Sequence, residues 1–431
     1  MTDLIDAPTV VNTMPTLRIA TAGSVDDGKS TLIGRLLHDT KTVMEDQLAA
    51  VHRASARYGD GEINLALLTD GLRAEREQGI TIDVAHRYFA TPARSFIVAD
   101  TPGHAQYTRN MVTGASNADI AIVLVDARHG VVEQTRRHAF ISALLGVNAI
   151  ALAVNKMDLV DFDEGTFDRI HKELVEYVDA LPTPVPVVAF PISALEGDNV
   201  VDGSDHTPWY EGPPLLAWLE QVDVEADGRG ATRLDVQRVI RPQGSDYRGY
   251  AGRLAGGRVA VGDAVTVLPS GRTSTISGLA RFGRDVICAS AGEAITIELT
   301  DDVDVARGDA LVLGVAGDGQ HHVGAATESV AGHVCWMIDR PLQPGSRWWF
   351  KHGTRVGRAF VDSIESRHDL ATLEEHAASE VALNDLAVIR LSLSEPIVAE
   401  PYALSREGGR LILVDEATNT TAAAVMITAV A

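Results

Sequence analysis

The chain has 431 residues, enough for two or three domains. Its 45% hydrophobic content is that of an ordinary globular protein, and its formal charge of −22 argues against a broad face for nucleic acid. Two cysteines, Cys288 and Cys335, cannot build a disulfide framework or a zinc site alone, and no run reaches the ~18 apolar residues of a membrane span. Residues 1–6 are acidic and carry no signal-peptide stretch, so the expected location is the cytoplasm, with residues 1–14 a loose arm.

In chain order, an apolar run at 17–22 predicts the first strand. It leads into Gly23-Ser24-Val25-Asp26-Asp27-Gly28-Lys29-Ser30, a full G-x-x-x-x-G-K-[ST] phosphate-binding loop, and Thr31 continues into a helix. In such a loop successive backbone N–H groups turn inward around phosphate oxygens, and the helix N-terminus adds its positive end. Lys29 reaches the outer phosphates as a point charge, and the Ser30 hydroxyl ligates Mg²⁺. A strand at 96–99 ends in Asp100-Thr101-Pro102-Gly103-His104. Asp100 suits a contact to Mg²⁺ through water, and Gly103 supplies an N–H for the last phosphate.

After a strand at 119–126, the run 149–154 ends in Asn155-Lys156-Met157-Asp158. A carboxylate at Asp158 can accept both N1–H and the exocyclic amine of guanine, a pair that adenine does not offer. Ser193-Ala194-Leu195 closes the run 187–192, and its backbone N–H can donate to the guanine carbonyl. Four nucleotide motifs in this order, each closing an apolar run, predict a GTPase with GTP as substrate. The runs alternate with helical stretches, which predicts an α/β domain: a mostly parallel sheet with helices on both faces and phosphate-binding loops at the carboxyl ends of its strands.

This GTP-binding domain is expected over residues 15–222. Short strand-like runs follow at 234–240, 249–254, 264–268, 273–276 and 294–299, separated by turn signals. They predict a small antiparallel β-barrel over 231–316. After a linker at 317–320, runs at 331–337, 348–351, 355–364, 387–393 and 410–415 predict a second barrel over 325–431.

A GTPase followed by two barrels resembles the translation-factor class, and the strings Gly79-Ile80-Thr81-Ile82 and Asp100-Thr101-Pro102-Gly103-His104 carry that likeness. Longer strings narrow it: TDGLRAEREQGITIDVAHRYF at 69–89, DTPGHAQYTRNMVTGAS at 100–116, QTRRH at 134–138, DYRGYAG at 246–252, KHGTR at 351–355 and LSEPI at 393–397. With the phosphate loop at 23–37, these are similar to the large GTPase subunits of the two-subunit bacterial sulfate adenylyltransferases. The resemblance implies an assembly that makes adenylylsulfate and pyrophosphate from ATP and sulfate. In it a separate small catalytic subunit carries the adenylyl transfer, at least as a heterodimer, and GTP hydrolysis on the large subunit drives or accelerates it.

The resemblance also implies that Thr81 ligates Mg²⁺ only when GTP is bound, and that Thr81, Lys29 and His104 serve hydrolysis. His104 directly follows the glycine that meets the last phosphate and would orient the attacking water; Val25 and Ile80 could flank it as an apolar gate or serve equally as packing. The alternative is a translation-factor GTPase that delivers a tRNA to the ribosome. The basic cluster Lys351, His352, Arg355 and Arg358 could serve a nucleic acid, a partner subunit or only a solvated barrel face. The acidic charge balance and the lack of a membrane-length apolar run together lead to the expectation of neither nucleic-acid nor membrane partners.

Overall fold

The computed structural model describes residues 16–42, 65, 84–103, 108–224, 230–313 and 326–430. The expected arm at 1–14, the linker at 317–320, and Ile80, Thr81 and His104 lie outside the described residues. Two compact units form: one runs to Val224 and includes Leu370–Leu373, and the other holds the rest.

The first unit is built on a six-stranded sheet. Its strands are β1 (Leu17–Ala22), β2 (Ala85–Ala90), β3 (Ser95–Asp100), β4 (Ile120–Asp126), β5 (Ala149–Asn155) and β6 (Val187–Pro191), in the spatial order β2-β3-β1-β4-β5-β6. All neighbours pair in parallel except β2, which runs antiparallel to β3. All seven residues of β4 (IAIVLVD) and of β5 (AIALAVN) are buried. Continuous apolar runs of this kind belong to strands covered on both faces.

The helices are α1 (Lys29–Asp39), α2 (Thr108–Ala115), α3 (Glu133–Leu144), α4 (Glu164–Asp179) and α5 (Leu215–Gln221). Leu32 and Leu36 of α1 and Leu215 and Leu219 of α5 join Ile120, Ile122 and Leu124 of β4 in one core. The alternate residues Ala121, Val123 and Val125 are equally buried, and α3 packs on β4 and β5. Buried Arg94, in the turn before β3, donates to Leu219 O (3.2 Å) and Val222 O (2.6 Å). It thereby satisfies carbonyls at the end of α5 that a helix leaves unpaired. Among the described residues no helix is long and apolar enough to cross a membrane.

The second unit holds two closed six-stranded antiparallel barrels. The first barrel uses β7 (Arg233–Asp235), β9 (Gly249–Ala255), β11 (Ala264–Leu268), β12 (Arg272–Arg281), β15 (Ala294–Leu299) and β16 (Ala310–Leu313), in the ring β11-β16-β7-β9-β15-β12. The short strands β8 (Arg238–Ile240), β10 (Arg258–Ala260), β13 (Arg284–Val286) and β14 (Cys288–Ser290) fringe it. The second ring is β18-β22-β23-β17-β21-β19, from β17 (Thr327–Trp336), β18 (Arg347–His352), β19 (Arg355–His368), β21 (Leu386–Ile397), β22 (Arg410–Val414) and β23 (Thr421–Val430), with β20 (Glu375–His376) appended to β19. Closure removes the unpaired edges that a small open sheet would expose. The sequence reading foresaw five strands in each ring. The sixth strands, β16 and β23, are what close them.

A buried polar seam joins the barrels. Arg233 is fully buried; its Nη1 donates to Val398 O (2.7 Å) and its Nη2 to Asp235 (3.2 Å). Glu400 accepts from the Ala231 N–H at 2.8 Å, and the Thr354 hydroxyl donates to Val236 O at 3.0 Å.

Candidate nucleotide site

The phosphate loop leaves the carboxyl end of β1 and enters α1 at Lys29. Gly28 caps that helix at φ 94°, in the left-handed region where glycine avoids the Cβ penalty. A Cβ there would also lie 2.4 Å from Asn155 Nδ2. The first bond from the helix back to its cap is Leu32 N–H to Gly28 O (2.9 Å), so the N–H groups of Lys29, Ser30 and Thr31 remain at the helix end for an anion. The Asp27 carboxylate closes the loop by accepting from the Ser24 N–H at 2.5 Å. Burial pushes Asp27 above the ordinary carboxylate range, against the Ser24 hydrogen bond and the Lys29 charge. The Ser24 hydroxyl is buried and has no partner among the described residues. Val25 stays partly exposed on the rim.

Lys29 lies almost wholly buried inside the loop, its Nζ donating to Gly23 O (2.9 Å) and Ser24 O (2.7 Å). Burial lowers its pKa, and Asp100, Asp27 and Asp26 oppose that. Asp100 ends β3, buried, opposite Thr21 of β1, whose hydroxyl donates to it at 3.3 Å. The Asp-Thr-Pro-Gly turn then packs straight onto the phosphate loop. A Cβ on Gly103 would stand 2.4 Å from Lys29 Nζ and 2.6 Å from Gly23 O.

Asn155, at the end of β5, has both polar atoms engaged within the protein. Its Nδ2 donates to Asp27 O (2.7 Å) in the phosphate loop, and its Oδ1 accepts from the Ala194 N–H (2.9 Å). Arg35, on α1, donates to Ala194 O (3.2 Å) and to Leu195 O. In the Ser193-Ala194-Leu195 turn the Ser193 N–H is bonded to Asp198 O (3.3 Å) and the Ala194 N–H to Asn155, while the Leu195 N–H meets no acceptor among the described residues. Lys156 takes φ 62° and turns the chain into the 3₁₀ turn Met157–Val160. Within that turn Asp158 Oδ1 is buried and accepts no hydrogen bond among the described residues.

The structure thus brings the phosphate loop, the Asp100–Gly103 turn, Asn155 and the Ser193–Leu195 turn into contact. It adds residues that the motif reading missed. Asp126 ends β4, buried, and accepts from Lys156 Nζ (2.9 Å) and from Arg128 through N, Nε and Nη2 (3.0, 3.0 and 2.6 Å). Burial pushes its carboxyl up, but the bonds from Arg128 and Lys156 outweigh that and hold it well below the usual range. The available signal was a carboxylate closing an apolar strand, as at Asp100. The QTRRH string supplies His138, buried on α3 beside the Gln134 amide (2.8 Å) and held neutral by burial, down at about 3.

The basic cluster in the second barrel does not form an open cationic face. His352 is buried and donates to Gly408 O at 2.9 Å. Arg355 bonds Pro396 O and Asp309, and Arg358 pairs with Glu416 while stacking 4.4 Å above the Trp349 ring.

Residues 14–236 match the family model described as the elongation factor Tu GTP binding domain, and residues 329–428 match the GTP-eEF1A C-terminal domain-like family. Among curated proteins, the chain is 52% identical to sulfate adenylyltransferase subunit 1 of Tolumonas auensis over 95% of this chain and 86% of that protein. It is 49% identical to the proteins of the same name from Vibrio parahaemolyticus and Aeromonas hydrophila, over the same shares of each. The chain therefore belongs to the sulfate adenylyltransferase subunit 1 family, with an N-terminal domain of the elongation factor Tu GTP-binding type.

Proposed function

We propose that this chain is the GTPase subunit of a sulfate adenylyltransferase. It binds and hydrolyses GTP in the cytoplasm, while a separate small subunit transfers the adenylyl group of ATP to sulfate. The observation that carries the base assignment is Asp158 Oδ1, a buried carboxylate oxygen without a donor among the described residues, on a turn braced to the phosphate loop through β5. A buried acceptor left unmatched is costly, so the site favours a base with N–H donors at that edge. Guanine offers N1–H and its amine there, and the Leu195 N–H is the donor left for its carbonyl. Asn155 acts as a brace between the two loops, and Lys156 is held over the site by Asp126.

The phosphates enter the ring formed by Gly23, Ser24, Val25, Asp26, Asp27, Gly28 and the first turn of α1, beneath Gly103. Lys29 is already desolvated there, so its charge acts at full strength on an incoming anion. The hydroxyls of Ser30 and Thr81, with Asp100 through water, would hold Mg²⁺; this donor set of hard oxygens suits the ion. When bound, the ion neutralises charge on the outer phosphate oxygens. His104 orients the attacking water, Val25 and Ile80 shield it, and Thr81 senses the last phosphate. The translation-factor alternative calls for an exposed basic face, which the internally paired Arg355 and Arg358 and the buried His352 do not provide.

The test is adenylylsulfate synthesis by this chain with and without the cognate small subunit, in GTP, in a non-hydrolysable GTP analogue and in neither. GTP-dependent synthesis by the pair alone is expected, with the analogue failing to sustain synthesis beyond the unassisted equilibrium. Equal synthesis in all three conditions refutes coupling, and synthesis by this chain alone overturns the division of labour.

A further inference from the structure

The first barrel carries a surface that neither its fold nor its solubility explains. Strands β12 and β13 form a two-residue hairpin, with Arg281 opposite Arg284 and Phe282-Gly283 at the tip. Both tip residues take positive φ, 50° and 72°. That pair of angles is the turn that asparagine-glycine makes most easily, and a phenylalanine is strained in it. Phe282 is also 92% exposed, so water opposes it as well. Ile287, just past β13, is 81% exposed, and Val261, in the turn just past β10, donates its N–H to the Ile287 carbonyl and is exposed too. Local geometry and solvation both disfavour these side chains, and such conflicts mark functional surfaces.

The charges around the patch specify its occupant. In a chain of net charge −22, the tip carries Arg281 and Arg284. Arg281 pairs with Glu293, but Arg284 has no acidic partner among the described residues. Exposed Asp285 is the one acid in the turn and its flanking pairs. An aromatic anchor beside an unpaired arginine is the composition of an interface centre. Two copies of this chain, each of net charge −22, would repel one another overall, which disfavours a second copy as the occupant. We propose that this hairpin is a docking surface for the small catalytic subunit, which would meet it with an apolar cleft rimmed by carboxylates. This rests on the subunit reading above.

The experiment measures the affinity of the full chain for the purified small subunit by titration calorimetry. The variants are Phe282→Asn, which suits the turn and keeps the hairpin folded, Ile287→Thr and Arg284→Glu. Sedimentation of the chain alone runs alongside. Phe282→Asn and Arg284→Glu are each expected to weaken association about tenfold or more, while GTP affinity stays unchanged and the melting temperature does not fall. Wild-type binding that all three variants leave within twofold overturns the docking surface and spares the subunit reading. No binding by the unaltered chain overturns both. A dimer of the chain alone that Phe282→Asn dissolves assigns the surface to a second copy and refutes the proposal.

Discussion

Asp126→Asn tests whether the base side of the site is held by buried electrostatics. The carboxylate is 3% exposed and accepts from three Arg128 donors and from Lys156 Nζ. An amide has one acceptor oxygen and no charge, so it forfeits charge-assisted bonds worth about 1.5–3 kcal/mol each and turns an NH₂ toward two cations. Arg128 is 44% exposed and recovers most of its loss in water, which leaves the Lys156 contact as the main term. The net cost is then about 2–4 kcal/mol, below the sum of the separate bonds. A domain of roughly 200 residues unfolds with an entropy of about 0.4 kcal/mol/K, so the variant should melt about 5–10 °C lower at pH 7.

The pH dependence has a definite sign. The folded carboxyl lies below its ordinary value, so its stabilisation is complete above the unfolded pKa of about 3.9 and is lost as pH falls below it. Calorimetric melts of parent and variant should differ fully at pH 7 and 5 and draw together below pH 4. GTP affinity should fall about tenfold, since Lys156 loses its anchor. No difference in melting at pH 7, or a gap that does not shrink in acid, would refute the reasoning.

Asp158→Asn should lose GTP and gain xanthosine triphosphate, with a swing of about 10⁴ in relative affinity measured by competition; unchanged GTP binding would defeat the base assignment. Lys29→Ala should weaken GTP binding itself. His104→Ala should bind normally and hydrolyse about 10²-fold more slowly in single turnover with the small subunit present, and the parental rate there would make the residue structural.

The sequence disclosed the nucleotide domain because its motifs sit at strand ends, where chemistry and hydrophobic pattern coincide. The strands at 17–22, 96–99, 119–126, 149–154 and 187–192 correspond to β1, β3, β4, β5 and β6. Strand β2 escaped because AHRYFA is polar, with only Phe89 buried, as an edge strand allows. Strand β16 escaped because four consecutive buried residues, ALVL, show no alternation. Strand β23 reads TAAAVMITAV, and its alanines favour helix by propensity; pairing on both sides within a closed ring overrides that. Asp126, Arg35 and Arg128 were hidden for another reason. Arg35 meets carbonyls some 160 residues away, the Asp126 carboxylate reaches the distant Lys156, and Arg128 shows its use only once its neighbour Asp126 is known to be buried, so no spacing rule encodes these contacts.

On the proposed assignment, Asn155 would connect recognition of the base to the grip on the phosphates. Its amide joins Asp27 O of the phosphate loop to the Ala194 N–H of the base loop through bonds of 2.7 and 2.9 Å, and Arg35 ties α1 to the carbonyls of the same loop. The left-handed Gly28 permits that approach, since a Cβ would fall on the Asn155 amide nitrogen. An adenine in this frame would leave Asp158 Oδ1 unmatched and present an amine to the Leu195 N–H. A loose loop would relax around the misfit. Here the loop is bonded to the element that positions Lys29, so relaxation displaces the charge that holds the phosphates. On the proposed assignment the wrong base would therefore be rejected twice, once at its own edge and once through the phosphate loop.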